Sequence, residues 1–274
     1  MAKRTYYMKL SIITINYNNR EGLQKTIDSI LAQTWRDFEW IVIDGGSTDG
    51  SKELIAQYQE HFAYWCSEPD KGVYNAINKG IAKAQGSYIS CMNSGDTFYE
   101  PDTLQKVFSE EREADILYGD WLQVFDDYEL LVDFPAPVEL YSFYLRNICH
   151  QAMFVRTSFL KKKGFDESFR IKADYSRWIE AALDGLVFEH IPVTVCRYDM
   201  GGLSSNNPDI SIREREQLES KTIPRPVLLS MERLHFYEQD KTVQRVKRLL
   251  LKGRRVALIT QKSVALLAKI FRCS

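Results

Sequence analysis

The sequence lacks the features that mark several common protein classes. Its five cysteines lie far apart and include no C-x-x-C pair, which argues against zinc, and their odd number argues against a disulfide framework. Reduced thiols in a cytoplasmic compartment are therefore expected. No apolar run reaches the roughly 18 residues that a bilayer span needs, and Leu10–Ile15 is too short for the apolar region of a signal peptide. We expect a cytoplasmic protein without a membrane-spanning segment.

Two glycine-rich nucleotide-binding motifs are also missing. The sequence contains neither the dinucleotide-binding pattern G-x-G-x-x-G nor the P-loop pattern G-x-x-x-x-G-K-[ST]. Gly45 and Gly50 have the spacing of the P-loop glycines, but Ser51 and Lys52 follow them in the reverse order. The commonest functions of a parallel α/β sheet are thereby excluded.

Acidic residues are missing from the segment 241–274, which contains ten lysines and arginines. Because the whole chain has a net charge of -1, these ten positive charges leave -11 on residues 1–240. Apolar residues interleave with the basic ones, a composition that suits a helix lying on an anionic membrane surface. The alternative is a helix that packs on the rest of the chain or on a second subunit of a homodimer. No nucleic-acid-recognition fold is evident, so we expect no nucleic acid partner.

Short apolar runs alternate with helical patterns through the first 120 residues. This alternation predicts βαβ units and a mostly parallel, Rossmann-like sheet flanked by helices. The predicted strands are Leu10–Ile15, Phe38–Ile43, Phe62–Cys66, Ser87–Met92 and Ala114–Tyr118. The predicted helices cover 21–33, 49–58 with Asp49 as its cap, 72–84, and a segment that starts at Pro101.

The pattern changes after residue 120. Residues 121–205 are predicted to form a mixed α+β extension of the same sheet, with a helix over 173–183 and an apolar stretch, 187–198, that is broken at Pro192. From Asp209 onward the chain reads as helical. We therefore predict one domain over 1–205, divided into halves 8–120 and 121–205, and a helical region 206–274 that ends in the basic segment.

Polar side chains follow the predicted strands: Asn16, Asp44, the run Glu68-Pro69-Asp70, and the loop 93–96. In open α/β sheets ligands bind beyond the carboxyl ends of the strands, so these residues mark a candidate site. Asp44 could accept a hydrogen bond from a base or ribose, or form a turn ahead of Gly45. Asp96 could hold Mg²⁺ or Mn²⁺ at a diphosphate, or cap a helix.

Seven segments, in order, carry a resemblance to a known family. They are SIITINYNN, IVIDGGSTDGS, EPDKGVYNAINKGIAKAQGSYISCMNSGD, YGD, CHQAMFVR, GFDESFRIKADYSRW and YDMGGLS. Together they resemble the inverting glycosyltransferase family 2, whose members have the GT-A fold. The likeness is strongest to bacterial members that build extracellular polysaccharides and lipopolysaccharide O-units, and it covers about residues 8–205.

The resemblance implies roles for individual residues. The nucleotide-sugar donor would be held by Thr14, Asn16, Asp44, Asp70, Lys71, Lys79, Asn93 and Ser94. The family's metal-binding loop maps to residues 93–96, so Asp96 would hold Mn²⁺ or Mg²⁺, and Gly95 stands where a second acid is usual. Asp174 would be the general base. His150 and Gln151 would lie at the acceptor side, and Gly201 and Gly202 would belong to a lid.

The resemblance also implies the reaction, which is transfer of a sugar with inversion, UDP being the expected nucleotide. The acceptor would be a saccharide, lipid-linked if the basic segment binds the inner face of the plasma membrane. Two alternatives stay open. A sugar nucleotidyltransferase would need a glycine-rich basic loop after the first strand, which Asn16–Asn19 is not. A non-catalytic nucleotide-sugar-binding protein is favoured only by Gly95.

Overall fold

A computed structural model describes residues 9–202 and 206–245 of the chain. The chain divides into two compact units, Met1–Thr222 and Ile223–Ser274. The boundary expected near residue 205 and the division at residue 120 stay predictions.

The first unit is built on a nine-stranded sheet, and helices connect many of the strands in sequence. The strands are β1 (Leu10–Asn16), β2 (Phe38–Asp44), β3 (Tyr64–Ser67), β4 (Tyr88–Cys91), β5 (Thr97–Phe98), β6 (Ile116–Val124), β7 (Glu129–Val132), β8 (Met153–Arg156) and β9 (Phe188–Asp199). Its helices are α1 (Arg20–Leu31), α2 (Ser51–Gln57), α3 (Val73–Lys83), α4 (Thr103–Val107), α5 (Leu140–Leu145), α6 (Thr157–Lys162), α7 (Ala173–Leu183) and α8 (Pro208–Thr222).

The sheet has a parallel half and a mixed half. The strand order is β3-β2-β1-β4-β8-β6-β9-β5, with β7 beside β6. The first four strands run parallel; β8 is antiparallel to β4 and β6, and β9 is parallel to β6. The sequence therefore predicted correctly that the segment after residue 120 completes the same sheet.

The parallel half forms because its central strands are covered on both faces. Every residue of β1 is buried, which explains the continuous apolar run at Leu10–Ile15. Helix α3 lies very close to β1, since a Cβ added at Gly80 would come within 2.5 Å of an Ile13 methyl carbon. Only glycine fits at that crossing, and the close approach fixes the start of α3 beyond the carboxyl ends of the strands.

Several predicted boundaries were wrong. Helix α4 begins at Thr103 rather than at Pro101, and α2 is capped by Gly50, whose φ is +91°, rather than by Asp49. The strand over 187–198 is not broken at Pro192: β9 continues through it because the register with β6 shifts there. Gly119 on β6 makes room for this bulge, since a Cβ there would lie 2.4 Å from the Val193 carbonyl oxygen.

The second unit contains α9 (Arg225–Gln239), which begins directly after Pro224, and a helical segment over 241–245. Residues 246–274, which carry most of the basic segment, lie outside the described residues. Across the ranges 9–202 and 206–245, no helix has both the length and the apolar character that a membrane crossing requires.

Candidate functional site

Three polar side chains meet where β1, β2 and β3 end. The strand register places Asn16 beside Asp44 and Asp44 beside Ser67. The Asp44 carboxylate is fully buried and accepts hydrogen bonds from Asn16 Nδ2 at 2.7 Å, from Ser67 Oγ at 2.6 Å, and from the amide and hydroxyl of Ser47. Burial alone would raise the pKa of Asp44, but these hydrogen bonds outweigh it and lower the pKa. Asp44 therefore stays ionised and joins three strand ends.

Asn16 has one hydrogen-bond acceptor that this group of residues does not use. Its Oδ1 is buried and has no hydrogen-bond partner within the described part of the chain. An unsatisfied buried acceptor costs about 1–3 kcal/mol, so a donor group on a ligand would stabilise it. Thr14, by contrast, is fully buried and accepts a hydrogen bond from Trp40 Nε1 at 3.0 Å. A nucleotide contact by Thr14 stays a prediction.

The outer edge of this pocket contains Asp70, Lys71 and Lys79. Asp70 Oδ2 would lie 2.6 Å from a Cβ at Gly45, so the glycine lets Asp70 approach the end of β2. Lys79 is paired with Glu68 at 2.8 Å, and the Lys71 amide donates to Asn75. The ring of Tyr17, which the sequence did not single out, is 67% exposed beside Gly45 and presents a flat apolar face there.

The loop 93–96 follows β4 and is held by α1. Asn19 caps α1 and also donates from Nδ2 to the Ser94 carbonyl at 3.0 Å. The Thr26 hydroxyl lies 2.7 Å from the Asp96 carbonyl oxygen and accepts from the Gly95 amide. Gly95 has a φ of +105°, a conformation that side chains disfavour. The missing second acid thus coincides with a turn that requires glycine.

Asp96 is buried and receives two hydrogen bonds. Gln151 Nε2 donates to Oδ2 at 2.6 Å, and the Asp199 amide donates to Oδ1 at 2.9 Å. Burial raises the pKa of Asp96 to about 7, although both hydrogen bonds act in the opposite direction. Asp96 does not cap a helix, because the residue that precedes α4 is Asp102.

The Asp199 carboxylate faces Gly95, the position at which a second acid was expected. Asp199 ends β9, is exposed, and has Oδ2 at 3.2 Å from the position that a Cβ at Gly95 would occupy. It stands beside Asp96 because of the backbone hydrogen bond between them. The sequence analysis missed Asp199, and its only signal was its place at the start of the segment YDMGGLS.

Asp174 is the second residue of α7, where the positive end of the helix dipole favours a carboxylate. Four groups that can donate hydrogen bonds surround it, and one of them, the Tyr74 hydroxyl, shares its single proton with the Ile171 carbonyl at 2.6 Å. Tyr175 N and the Tyr74 hydroxyl lie 2.8 and 3.0 Å from Oδ1, while Asn147 Nδ2 and His150 Nδ1 each lie 3.2 Å from Oδ2. Burial would raise the pKa of Asp174, but the hydrogen bond and charge of His150 prevail and lower it.

The start of α7 is fixed by a residue from α8. The Glu214 carboxylate accepts hydrogen bonds from the backbone amides of Arg170, Ile171 and Lys172, at 2.7 to 3.0 Å. These amides precede α7 and have no partner within the helix. Glu214 therefore orients the helix end that carries Asp174.

His150 and Gln151 join the two buried carboxylates. His150 contacts Asp174 through Nδ1 and Asn93 through Nε2, the latter at 3.1 Å. Gln151 donates to Asp96, and its Oε1 accepts from Cys149 Sγ at 3.0 Å. The structure thus brings together four residues that the sequence had placed at separate points of a site.

Other predicted residues lie at the margins. Gly201 donates its amide to Asp199 Oδ1 at 2.8 Å, and Gly202 follows it; the rest of the expected lid, 203–205, lies outside the described residues. Asn75 and Asn78 of α3 donate hydrogen bonds to Glu167 at 2.8 Å.

Comparison with known proteins gives the family. The model of the family described as "Glycosyl transferase family 2" matches residues 11–157. An uncharacterized glycosyltransferase of Mycobacterium tuberculosis (strain H37Rv) is 37% identical over 211 residues, which cover 72% of this chain and 77% of that protein. A PGL/p-HBAD biosynthesis glycosyltransferase of Mycobacterium bovis (strain BCG) is 30% identical, with 81% and 90% covered.

Solved structures give the fold. A mannosyltransferase from Pyrobaculum calidifontis, in complex with GDP-Man and Mn²⁺, aligns with a TM-score of 0.62 and 17% identity over 98% of this chain and 83% of that chain. S. aureus TarS in complex with UDP-GlcNAc aligns with a TM-score of 0.60 and 18% identity over 70% of this chain. This chain spans 58% of that TarS chain. The expectation of a GT-A fold is confirmed.

The role of Asp44 gives a prediction about stability and pH. Asp44→Asn should lower the free energy of unfolding by about 1–3 kcal/mol at pH 7, since an amide cannot accept from all four donors. Because the folded-state pKa of Asp44 is lowered, its contribution is full above its ordinary value of 3.8. The contribution is lost as the pH falls through the folded-state pKa. Urea titrations of both proteins between pH 7 and pH 3 measure this difference.

Asp127→Asn is the matched control, because Asp127 is exposed in the β6–β7 turn. The difference between wild type and this control should stay near zero at every pH. A gap between wild type and Asp44→Asn that is equally large at pH 3 and pH 7 would contradict the proposed ionised network.

Proposed function

Because this chain belongs to glycosyltransferase family 2, we propose that it transfers a sugar from a nucleotide-sugar donor to a saccharide acceptor with inversion at the anomeric carbon. The observation that carries the proposal is the pair of buried carboxylates, Asp96 and Asp174, linked through the consecutive residues His150 and Gln151 beyond the sheet. Two of the fold neighbours were solved in complex with UDP-GlcNAc and with GDP-Man. UDP is the nucleotide that we propose first.

The nucleotide would lie over the ends of β1, β2 and β3. Asn16 Oδ1, which has no hydrogen-bond partner among the described residues, can accept from a base N–H, and the exposed ring of Tyr17 offers a surface for stacking. Asp44 holds Asn16 in place and would act on the nucleotide through it. Asp70, Lys71 and Lys79 would line the outer edge, and Asn93 and Ser94 would face the diphosphate.

A divalent metal fits the residues at the loop 93–96. Asp96 and Asp199 supply hard oxygen ligands of the kind that Mn²⁺ and Mg²⁺ prefer, and Asp199 fills the space beside Gly95. Over the described ranges no group of three or more His, Cys, Asp or Glu side chains could hold a metal, so the donor diphosphate and water would complete the ligand set. A bound metal would neutralise charge on the departing diphosphate.

The protein's own contribution is to orient the reactants and to accept the proton of the acceptor hydroxyl. Inversion by direct displacement requires a base on the face opposite the leaving nucleotide. Asp174 would be this base, held in position by α7 and by the hydrogen-bonding groups around it. Gly201 and Gly202 lie next to Asp199, where a closing segment would exclude water from the diphosphate.

We also propose that the acceptor is lipid-linked. Support comes from the basic, partly apolar segment 241–274 and from the relatives named for PGL biosynthesis. On the family resemblance, we propose that the sugar transfer serves polysaccharide or lipopolysaccharide synthesis. The enzyme would then bind the inner face of the plasma membrane peripherally. A homodimer that uses the same segment is the alternative.

The donor is tested by thermal-shift screening of sugar nucleotides with and without Mn²⁺, followed by measurement of nucleoside diphosphate release. The wild type should bind and slowly hydrolyse one donor, with water in place of the acceptor. Asp174→Asn should keep donor binding and lose about 10²-fold or more in release. Synthesis of sugar nucleotides from nucleoside triphosphates would instead identify a nucleotidyltransferase, and binding without any turnover would identify a scaffold.

The metal site gives a separate prediction. Asp199→Asn should weaken Mn²⁺ binding in the presence of UDP by about 10-fold, because one anionic oxygen ligand is lost. Electron paramagnetic resonance of free Mn²⁺ measures this affinity without turnover. Asp127→Asn should bind as wild type does. Equal affinity in Asp199→Asn and wild type would remove Asp199 from the metal site.

The basic segment is tested by deletion. A chain without residues 241–274 should no longer sediment with anionic phosphatidylserine liposomes but should keep its rate of donor hydrolysis. Liposomes of phosphatidylcholine alone are the control and should bind neither form. Unchanged sedimentation of the shortened chain would refute the membrane proposal and favour packing against protein.

A further inference from the structure

The segment between α5 and β8 contributes a hydrogen-bond acceptor beside the proposed base. We propose that Asn147 Oδ1 accepts a hydrogen bond from one hydroxyl of the acceptor saccharide, while the hydroxyl on the adjacent carbon gives its proton to Asp174. Asn147 would then determine specificity, and the enzyme would select acceptors that carry two free hydroxyls on adjacent carbons. This inference rests on the proposed function, because it names the chemical class of the acceptor.

The orientation of the Asn147 side chain is fixed by Asp174. Asn147 Nδ2 lies 3.2 Å from Asp174 Oδ2. Burial would raise the pKa of Asp174, but the hydrogen bond and charge of His150 lower it, so the carboxylate is ionised and can only accept hydrogen bonds. The reverse orientation of the amide would bring Asn147 Oδ1 against an anionic oxygen. Nδ2 therefore faces Asp174, and Oδ1 points away from it.

This orientation leaves Asn147 Oδ1 without a hydrogen bond. The atom is buried and has no partner among residues 9–202 and 206–245. A buried acceptor without a partner carries a free-energy cost, which a hydroxyl group of a ligand would remove. The ionised Asp174 cannot remove this cost, since it has no proton to donate.

Asn93 repeats the arrangement on the other side of the base. Its Nδ2 contacts His150 Nε2 at 3.1 Å, and its Oδ1 is buried and has no partner within the part of the chain that the structure describes. Both amides thus turn their nitrogen toward the pair formed by Asp174 and His150 and keep an unused oxygen. Unused acceptors next to the base suit a ligand that is rich in donors, as the hydroxyls of a saccharide are.

Asp174 has room for the reacting hydroxyl. The Tyr74 hydroxyl lies 3.0 Å from Asp174 Oδ1, but its single proton is shared with the Ile171 carbonyl at 2.6 Å. One acceptor position on Oδ1 is therefore only partly used. The side chains of Asp174 and His150 retain 9% and 17% exposure, and Asn147 is partly exposed. The three residues thus reach the surface of the site.

Two acceptors this close together call for two neighbouring hydroxyls. Asn147 and Asp174 are in direct hydrogen-bond contact, so hydroxyls bound at the two side chains would belong to adjacent positions of one ligand. Adjacent carbons of a sugar ring offer such a pair. An acceptor with a single hydroxyl would leave Asn147 Oδ1 unpaired, and a site built to bind a hydroxyl discriminates against analogues that lack it.

The two hydroxyls have different fates in the transfer step. The reacting hydroxyl loses its proton to Asp174, and the electron pair of its oxygen forms the bond to the anomeric carbon. The bond from that carbon to the diphosphate oxygen breaks, and its electron pair leaves with the nucleoside diphosphate. The neighbouring hydroxyl keeps its proton and only donates a hydrogen bond to Asn147 Oδ1.

The test compares two small alcohols as acceptors for the full chain, with the sugar nucleotide chosen by the thermal-shift screen. Ethylene glycol is the smallest molecule with adjacent hydroxyls, and ethanol lacks the second one. Mass spectrometry measures the glycoside that each alcohol forms at equal concentration. After correction for its two equivalent hydroxyls, ethylene glycol should be favoured by about 10-fold or more in the wild type. Asn147→Ala should lose this preference.

Tyr74→Phe is the matched control, because it also removes a group that contacts Asp174 but leaves Asn147 in place. It should keep the preference for ethylene glycol at any overall rate, since the ratio of the two products cancels changes in the base itself. Asn147→Leu, which nearly keeps the volume of the side chain, replaces Asn147→Ala if that variant does not fold.

Three results would overturn the inference. The first is a wild type that hydrolyses the donor but forms no more glycoside from ethylene glycol than from ethanol. The second is the same preference in Asn147→Ala as in wild type, and the third is loss of the preference in Tyr74→Phe. Wild type that releases no nucleoside diphosphate from any sugar nucleotide would instead count against the proposed function itself, so the two failures are distinguishable.

Discussion

A carboxylate that is removed from water must receive hydrogen bonds, and three carboxylates of this chain, Asp44, Asp96 and Asp174, are buried beyond the ends of the strands. Each of them accepts hydrogen bonds from distant parts of the sequence. Asp44 accepts hydrogen bonds at the ends of three strands, and Asp96 accepts them from the end of β9 and from the residue after His150. Asp174 accepts them from α3, from α7 and from the segment before β8. The shape of the site follows from this requirement.

Burial and hydrogen bonding also give the three carboxylates different pKa values. Asp44 and Asp174 have lowered pKa values because strong donors surround them, so both remain anions. Burial raises the pKa of Asp96 to about 7, and it lies next to an exposed carboxylate, that of Asp199. Asp96 and Asp199 thus place two carboxylates side by side next to Gly95.

The sequence predicted the strands of the parallel half to within two residues at each end and α7 to the residue, because buried strands and amphipathic helices have strong periodic patterns. It could not predict the bulge at Pro192, which depends on Gly119 in a different strand. It also missed the hydrogen bond from Gln151 to Asp96, since 55 residues separate the two. Patterns along the chain find elements, whereas a partner across the fold depends on the packing of all of them.

The meeting of Asn16, Asp44 and Ser67 has a consequence for how the chain folds. A buried parallel strand is apolar along its whole length, so sliding it by two residues keeps the same side chains on the same faces and changes its burial little. Only one alignment of β1, β2 and β3 brings these three polar groups side by side. Any other alignment leaves Asp44 without the hydrogen bonds from Asn16 and Ser67. The polar ends of the strands therefore select one alignment from several that apolar packing alone would tolerate.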